Sequence, residues 1–573
     1  MLLALAWQDH AVVAAYFAAL VGMGWHFARK QKSGAEYFLA SRRVPWFALG
    51  LSIMATLMSS LTYLSEPGEV WLSGVTTIVA KWIAILTEMV VVLFVIIPFL
   101  MRFRFTSVYE YLEYRFGRGP RRLAVALFLC LIVSWMGFVV LAMSWTVSRV
   151  TGVHLWIITA TVGGVGTVYT MVGGMRAVIW KEVLQVALML GGCLVCIGYV
   201  LTHGTNGDWL AKSDEYRRAV DPGSSVLTWI PNDAFDRISV AGFAATMFVW
   251  HLCTHLGNQM VVQRYFSSSD LKAARRSFLT AVGASIVVNT LLVVAGLALV
   301  SFYLAGHGQH WFDPYHLPKR DADLIFPMFM VNELPPGLAG AVLTAVLSAA
   351  MSTLDSGVNA IATVISVERR SRREGEAPAE PEPHLWEHEV GVPVNARGSA
   401  GASPSRENWN EVRFAKMVTL VAGLCITAAA YALNLLVKDR NILEMMPRSF
   451  NCFLVPLGGM FFLGFFVPRC GPRAAVLASL TALVTAVSLA YSRELYGIVD
   501  ERGRPLSFTL ILPVTFGVLL VVGLAGSVFD RATPDQTAGL TWFTRRQRPN
   551  IPPHLLAPNP PAPFPVKKEG GES

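Results

Sequence analysis

The sequence predicts an all-α, polytopic membrane protein of about 13 transmembrane helices, and three observations carry that prediction. Of 573 residues, 54% are hydrophobic and only 15% are charged, a balance too apolar for a soluble multidomain enzyme. Windows of about 19 residues find apolar stretches of spanning length along most of the chain. Between those stretches, basic residues concentrate in alternate short loops, as they do where helices thread back and forth through a bilayer.

The candidate spans are 11–28, 45–64, 76–100, 123–148, 154–172, 179–201, 239–261, 278–304, 337–366, 414–436, 446–467, 473–491 and 507–529. The first apolar run, Ala11 to Phe27, has Arg29, Lys30 and Lys32 behind it and no basic stretch ahead. It reads as a span with its amino end outside, not as a cleaved signal. An odd number of spans then puts the carboxyl end in the cytoplasm, together with the basic loops Arg29–Arg43, Arg102–Arg122, Arg264–Arg276 and Glu368–Arg413. Loops Thr202–Ile238, Gly306–Gly337 and Ser492–Pro505 mix both signs and belong outside. The net charge of +9 is spread over these loops rather than gathered on one face, so a nucleic-acid partner is not expected. Nor does the chain point to an obligate protein partner; the lipid bilayer and a small solute are the partners it implies.

Seven cysteines sit mostly in apolar runs, without the spacing of a disulfide framework. Cys193 and Cys196 read as packing residues rather than a redox pair. The stretch 370–408, with its Glu-Ala-Pro-Ala-Glu-Pro-Glu-Pro run, has a composition that buries no core and is expected as a loose cytoplasmic loop. The tail from Arg545 reads the same way. Phe326–Leu334 is apolar enough for a short helix lying on the outer surface.

Within this greasy chain, Ala349 to Thr363 abruptly carries hydroxyls, an amide and a carboxyl. At about 100° per residue, Ser352, Thr353, Asp355, Ser356, Asn359 and Thr363 fall within roughly a 160° arc of one helix. In a bilayer such a face must look at protein, water or an ion. Clustered neutral oxygens suit a small hard cation held loosely enough to be released. The span from Pro45 to Trp71 supplies a partner: serines and threonines crowd its middle, and that run together with Pro67-Gly68 suggests a helix that unwinds partway and frees carbonyls such as those of Ala55 and Met58.

Several segments together resemble the sodium/solute symporter family, which is built on the LeuT-type inverted repeat. They include Glu36-Tyr37-Phe38-Leu39-Ala40, Thr106 to Phe116, Gly173 to Gln185, Asn258-Gln259 with Gln263-Arg264, Leu334 to Gly340, and Pro456 to Gly464. Met58 to Thr62, with Pro67 and Glu69, and Ser352 to Ala360 are most similar to the branch carrying iodide, monocarboxylates and vitamins. The resemblance implies a 5+5 inverted repeat with discontinuous helices. It divides the chain into a first transmembrane helix (1–33), a first half (34–205), an extracellular loop (206–238) and a second half (239–469). Two accessory helices (470–530) and a cytoplasmic tail (531–573) follow.

The same resemblance implies sodium as the co-transported ion, held by backbone oxygens of Ala55, Met58 and Ala349 and side-chain oxygens of Ser352 and Thr353. It places a substrate mid-membrane near Ser59, Thr62, Asn258 and Gln259, with Lys81 and Trp82 close to a substrate-contacting position. Lys81 has an alternative, pairing with Glu66, Glu69 or Asp355 or reaching outward.

Two departures bear on coupling and ion release. Relatives usually carry Thr-Asp where this chain has Lys181-Glu182, which keeps the carboxyl and adds a cation. Asp355 stands where many relatives have a small neutral residue, leaving a second cation, a proton or Lys81 as its candidate partners. His251 and His255, four residues apart, have the spacing of zinc ligands. With no carboxylate or third ligand placed beside them they read as packed or cavity-lining. No nucleophile elbow, P-loop or HExxH pattern is present, so covalent chemistry is not expected. The expected function is sodium-coupled symport of a small solute, such as a monocarboxylate or other anion, by alternating access. The rivals are proton-coupled symport through Asp355 and a solute sensor on a carrier fold.

Overall fold

In a computed structural model the described residues are 6–29, 34–204, 207–220, 225–308, 315, 319–376, 406–436, 445, 448–557. They form helices and connecting turns, with only isolated β-bridges. Ten helices are long and apolar enough to cross a membrane, or eleven when one bent pair counts as a span. The expected thirteen are not confirmed among the described residues. Stretches 154–172 and 179–201 fall on either side of a kink within the continuous stretch Leu155–His203, and 446–467 yields the 16-residue Asn451–Phe466 among the described residues. At about 1.5 Å per residue the 49 residues of Leu155–His203 make roughly 70 Å, over twice the roughly 30 Å of a bilayer core. Gly174 breaks its helical path at φ 60°, ψ −175°, a conformation open to glycine and costly for other residues.

The architecture is organised by two interruptions. The helix α1 (Trp46–Leu57) ends where Met58 and Ser59 turn extended, and α2 (Ser60–Ser73) leaves at 65°. The break lies at Met58-Ser59, beside the serine-threonine run and the carbonyls expected to be freed, and Pro67-Gly68 takes no part in it. Pro67 sits inside α2, and Gly68 is required there because a Cβ would meet the Ala322 carbonyl at 2.5 Å. Further on, α4 (Val240–Gly257) gives way at extended Asn258 to α5 (Gln259–Phe266). The side-chain oxygen of Asn258 accepts from the Met260 amide at 3.0 Å and caps the new helix.

Around these broken helices pack α3 (Thr76–Val91) between them in sequence, and α6 (Leu338–Glu376), whose polar stripe is almost wholly buried. Leu155–His203 packs along α6 more extensively than any other element does, and the Arg118–Thr151 helix joins them.

Three segments depart from expectation. Residues 370–376 continue α6 as helix, and 377–405 lie outside the described residues. The short helix Ile325–Asn332 forms, but Phe326 and Phe329 are buried and Phe326 meets the ring of Tyr63, so it is not a surface element. The tail packs through Ala557: the Arg104 amide donates to Leu555 O at 2.8 Å, and Ala557 N donates to Arg102 O at 2.9 Å. Backbone groups thus hold a proline-rich segment that has no hydrophobic pattern, and 558–573 of the expected tail lie outside the described residues.

Candidate functional site

The end of α1 leaves carbonyls without the donors that a continuing helix would supply. The Ser352 hydroxyl lies 3.0 Å from both Ala55 O and Ala349 O. Thr353 Oγ1 lies 3.5 Å from Met58 O and 3.3 Å from Ala349 O. The five sequence-derived positions therefore converge, with Ser352 and Thr353 fully buried. Two hydroxyl protons cannot satisfy three carbonyls, so the cluster keeps surplus lone pairs. Oxygens held at about 2.3–2.6 Å around a cation of calcium's size, which sodium shares, stand roughly 3–3.7 Å apart. The observed separations fall in that range.

One turn along both helices, the chemistry changes from neutral to charged. Glu182 accepts from Ser52, from Ser356 and, at 3.2 Å, from Thr56. Arg264 of α5 donates to both Glu182 oxygens at 2.8 and 3.0 Å and to Ser52 Oγ at 2.6 Å. This fully buried knot ties α1, α5, α6 and the Leu155–His203 helix together. Nothing in the Gln263-Arg264 segment alone points to this role for Arg264.

Asp355 finds Lys181, not Lys81. The Lys181 ammonium sits 2.9 Å from Asp355 Oδ2 and over the Tyr169 ring, while the Thr170 hydroxyl donates to Oδ1 at 2.7 Å. Lys81 pairs with Glu66 and donates to Asn289 Oδ1 at 3.3 Å, two turns of α2 beyond Ser59.

The substrate candidates separate into two groups. Ser59 and Asn258 occupy the two breaks and are buried, and Thr62 is half-buried on the first turn of α2. Gln259 stands apart because its amide is engaged at both ends, accepting from Val108 N and donating to Thr106 O, each at 2.9 Å. Trp82 faces outward, 37% exposed. A second set was missed by sequence reasoning. Trp250, Thr254 and Asn258 recur every fourth residue on one face of α4, and Trp135 packs against Trp250 with ring centroids 5.9 Å apart. Trp135 Nε1, Thr254 Oγ1 and Asn258 Nδ2 are buried with no hydrogen-bond partner among the described residues. Only the four-residue spacing on α4 could have signalled this face, and an apolar helix offers many such spacings.

Two helices broken mid-path around a shared polar centre define a secondary carrier of the LeuT-like class. A profile of the Sodium:solute symporter family matches residues 37–371, and the chain belongs to that family. The sodium/sialic acid symporter SiaT of Proteus mirabilis is 25% identical over 88% of this chain and 95% of its own length. Human sodium-coupled monocarboxylate transporter 1 is 28% identical over 85% of this chain and 74% of its own, and the human sodium/iodide cotransporter is 28% identical over 87% and 72%. The structure of a substrate-bound, outward-open sodium-coupled sialic acid symporter superposes with a TM-score of 0.74 at 23% identity, covering 92% of this chain and 98% of that one. The protein is thus a multi-pass membrane carrier, a sodium-coupled solute symporter rather than an enzyme, and sodium is its co-transported ion.

Proposed function

We propose that the protein carries a small organic or inorganic anion, with a monocarboxylate as the leading candidate, on one sodium site formed by Ala55, Met58, Ala349, Ser352 and Thr353. The observation that carries this reading is the convergence of Ser352 and Thr353 on the carbonyls at the α1 break. Sodium there ties the broken helix to α6 and favours the form in which the solute site is complete; losing the ion frees both helices. Glu182 and Arg264 close the route on the cytoplasmic side, the amino terminus lying outside, and their separation releases the ion inward. The family's inverted repeat is taken to comprise residues 34–205 and 239–469.

The solute lies between the breaks, near Ser59, Thr62 and Asn258. The free groups found on that face favour an acceptor-rich solute: the indole nitrogen of Trp135 and the amide nitrogen of Asn258 only donate, and Thr254 Oγ1 can donate. Relatives named for sialic acid, monocarboxylates and iodide handle anions of this kind. Proton coupling through Asp355 is disfavoured because Lys181 already supplies its counter-charge. A thermal-shift screen of purified protein against monocarboxylates, halides, sugars and amino acids, with and without sodium, tests the reading. Stabilisation by anions that requires sodium is expected; stabilisation by neutral sugars alone would overturn the solute assignment.

A further inference from the structure

The absence of a third ligand is what had argued against metal at His251 and His255, and the fold supplies one from a different helix. Glu88 of α3 is buried beside both imidazoles of α4. Its Oε2 is 2.9 Å from His251 Nδ1 and its Oε1 is 3.6 Å from His255 Nε2. One ligand atom from each of the three residues lies within 4.8 Å of the other two. Zinc–nitrogen and zinc–oxygen bonds of about 2.0–2.2 Å place neighbouring ligands roughly 3.4 Å apart, so a modest closure of the three side chains would seat an ion.

Two details distinguish this cluster from a plain histidine–carboxylate pair. Glu88 Oε2 and His251 Nδ1 are buried 2.9 Å apart, and neither has a well-aligned hydrogen-bond partner among the described residues, so no further group competes for them. His255 is oriented from behind by the Tyr265 hydroxyl, 2.6 Å from its Nδ1, which directs Nε2 toward Glu88. That outer partner on the far ring nitrogen is the arrangement by which proteins hold a metal-ligating imidazole. Cys253, between the two histidines in sequence, is not among the converging atoms.

We infer that Glu88, His251 and His255 form a binding site for one divalent first-row transition cation, with zinc as its natural probe. Two imidazoles and one carboxylate leave a coordination position open for water, and the ligand set suits zinc or cobalt better than calcium or magnesium. His251, the most accessible of the three with 14% of its side chain exposed, is the point of entry. The site does not overlap the sodium oxygens. It fastens α3 to α4 three residues before Asn258, so an ion bound there holds the outer half of the second broken helix.

The test uses untagged, full-length protein stripped with a chelator and titrated with cobalt(II) and zinc. The expected results are one cobalt per chain with visible ligand-field bands of a four- or five-coordinate site, displacement by zinc, and a higher unfolding temperature with either ion. Glu88→Gln and His251→Asn should abolish the bands, and Tyr265→Phe should weaken binding roughly 10–100-fold. Sodium-dependent stabilisation, measured on each variant, reports whether it is folded, so a failed fold is not mistaken for lost ligation. Absent bands in the wild-type protein, or bands that persist in both folded variants, would overturn the assignment. Either result leaves the sodium reading untouched.

Discussion

The ammonium of Lys181 lies 2.9 Å from a carboxylate oxygen of Asp355, and neither side chain is exposed at all. Both residues had stood out as departures from the family pattern, and the fold shows that each is the other's compensation. In a membrane interior, an unpaired charge of either sign costs several kcal/mol, whereas the pair is tolerated.

Removing one partner should therefore harm more than removing both. Lys181→Met and Asp355→Asn are each expected to cost about 3–5 kcal/mol of stability, and the double variant clearly less than their sum. Thermal unfolding in sodium-containing detergent solution measures the cycle. Because Asp355 is spoken for, a proton gradient without sodium should drive no uptake in vesicles of the wild-type protein.

Arg264 makes two charge-assisted bonds to Glu182, and replacing it by Lys keeps the charge but not the fork. Losing one such bond, worth about 1.5–3 kcal/mol, should raise the population open on that side about tenfold or more. Radioactive sodium efflux from proteoliposomes without solute is the readout. Unchanged leak in Arg264→Lys would argue against the knot as a closure.

Thr254→Val keeps shape while deleting a hydroxyl that has no hydrogen-bond partner among the described residues. If the hydroxyl meets solute, KM for solute should rise roughly 5–10-fold with the sodium dependence unaltered. A packing role would leave both unchanged, since no described residue bonds the hydroxyl.

Asp270 precedes the Leu271–Leu304 helix outside the membrane, and its side chain accepts from the Ala273 amide at 2.8 Å. That bond holds its carboxyl below the ordinary aspartate value of 3.8. The native state therefore binds its proton less readily than the unfolded chain, so its contribution is present above pH 3.8 and is lost as pH falls through the lower native value. Asp270→Ala should cost about 0.5–2 kcal/mol at neutral pH, and Asp270→Asn much less, because it keeps the cap. Unfolding temperatures from pH 3 to pH 7 check both.

How much of this was legible in the sequence depended on whether the information lay along one helix or between several. Ser352 and Thr353 could be read because helical periodicity puts them on one face, and the fold brings them to Ala55 and Met58. Of the two signals for an unwound helix opposite them, the serine-threonine run lies at the break and Pro67-Gly68 does not, since the chain parts at Met58-Ser59, where no residue forbids a helix. Glu88 lies more than 160 residues before the histidines it joins, and no local spacing could reveal it. Lys81 was the lysine expected beside Asp355; tertiary packing gives Asp355 to Lys181 instead and leaves Lys81 with Glu66. The family resemblance made Gln259 a substrate candidate, yet the loop at Thr106–Val108 takes its amide.

The most direct measurement is sodium titration of the purified protein, followed by unfolding temperature or by radioactive sodium binding. It compares wild type with Ser352→Ala/Thr353→Ala. The account predicts saturable stabilisation by sodium, not by potassium, and a loss of at least tenfold in sodium affinity in a variant that remains folded. Equal sodium affinity in the two proteins would contradict it.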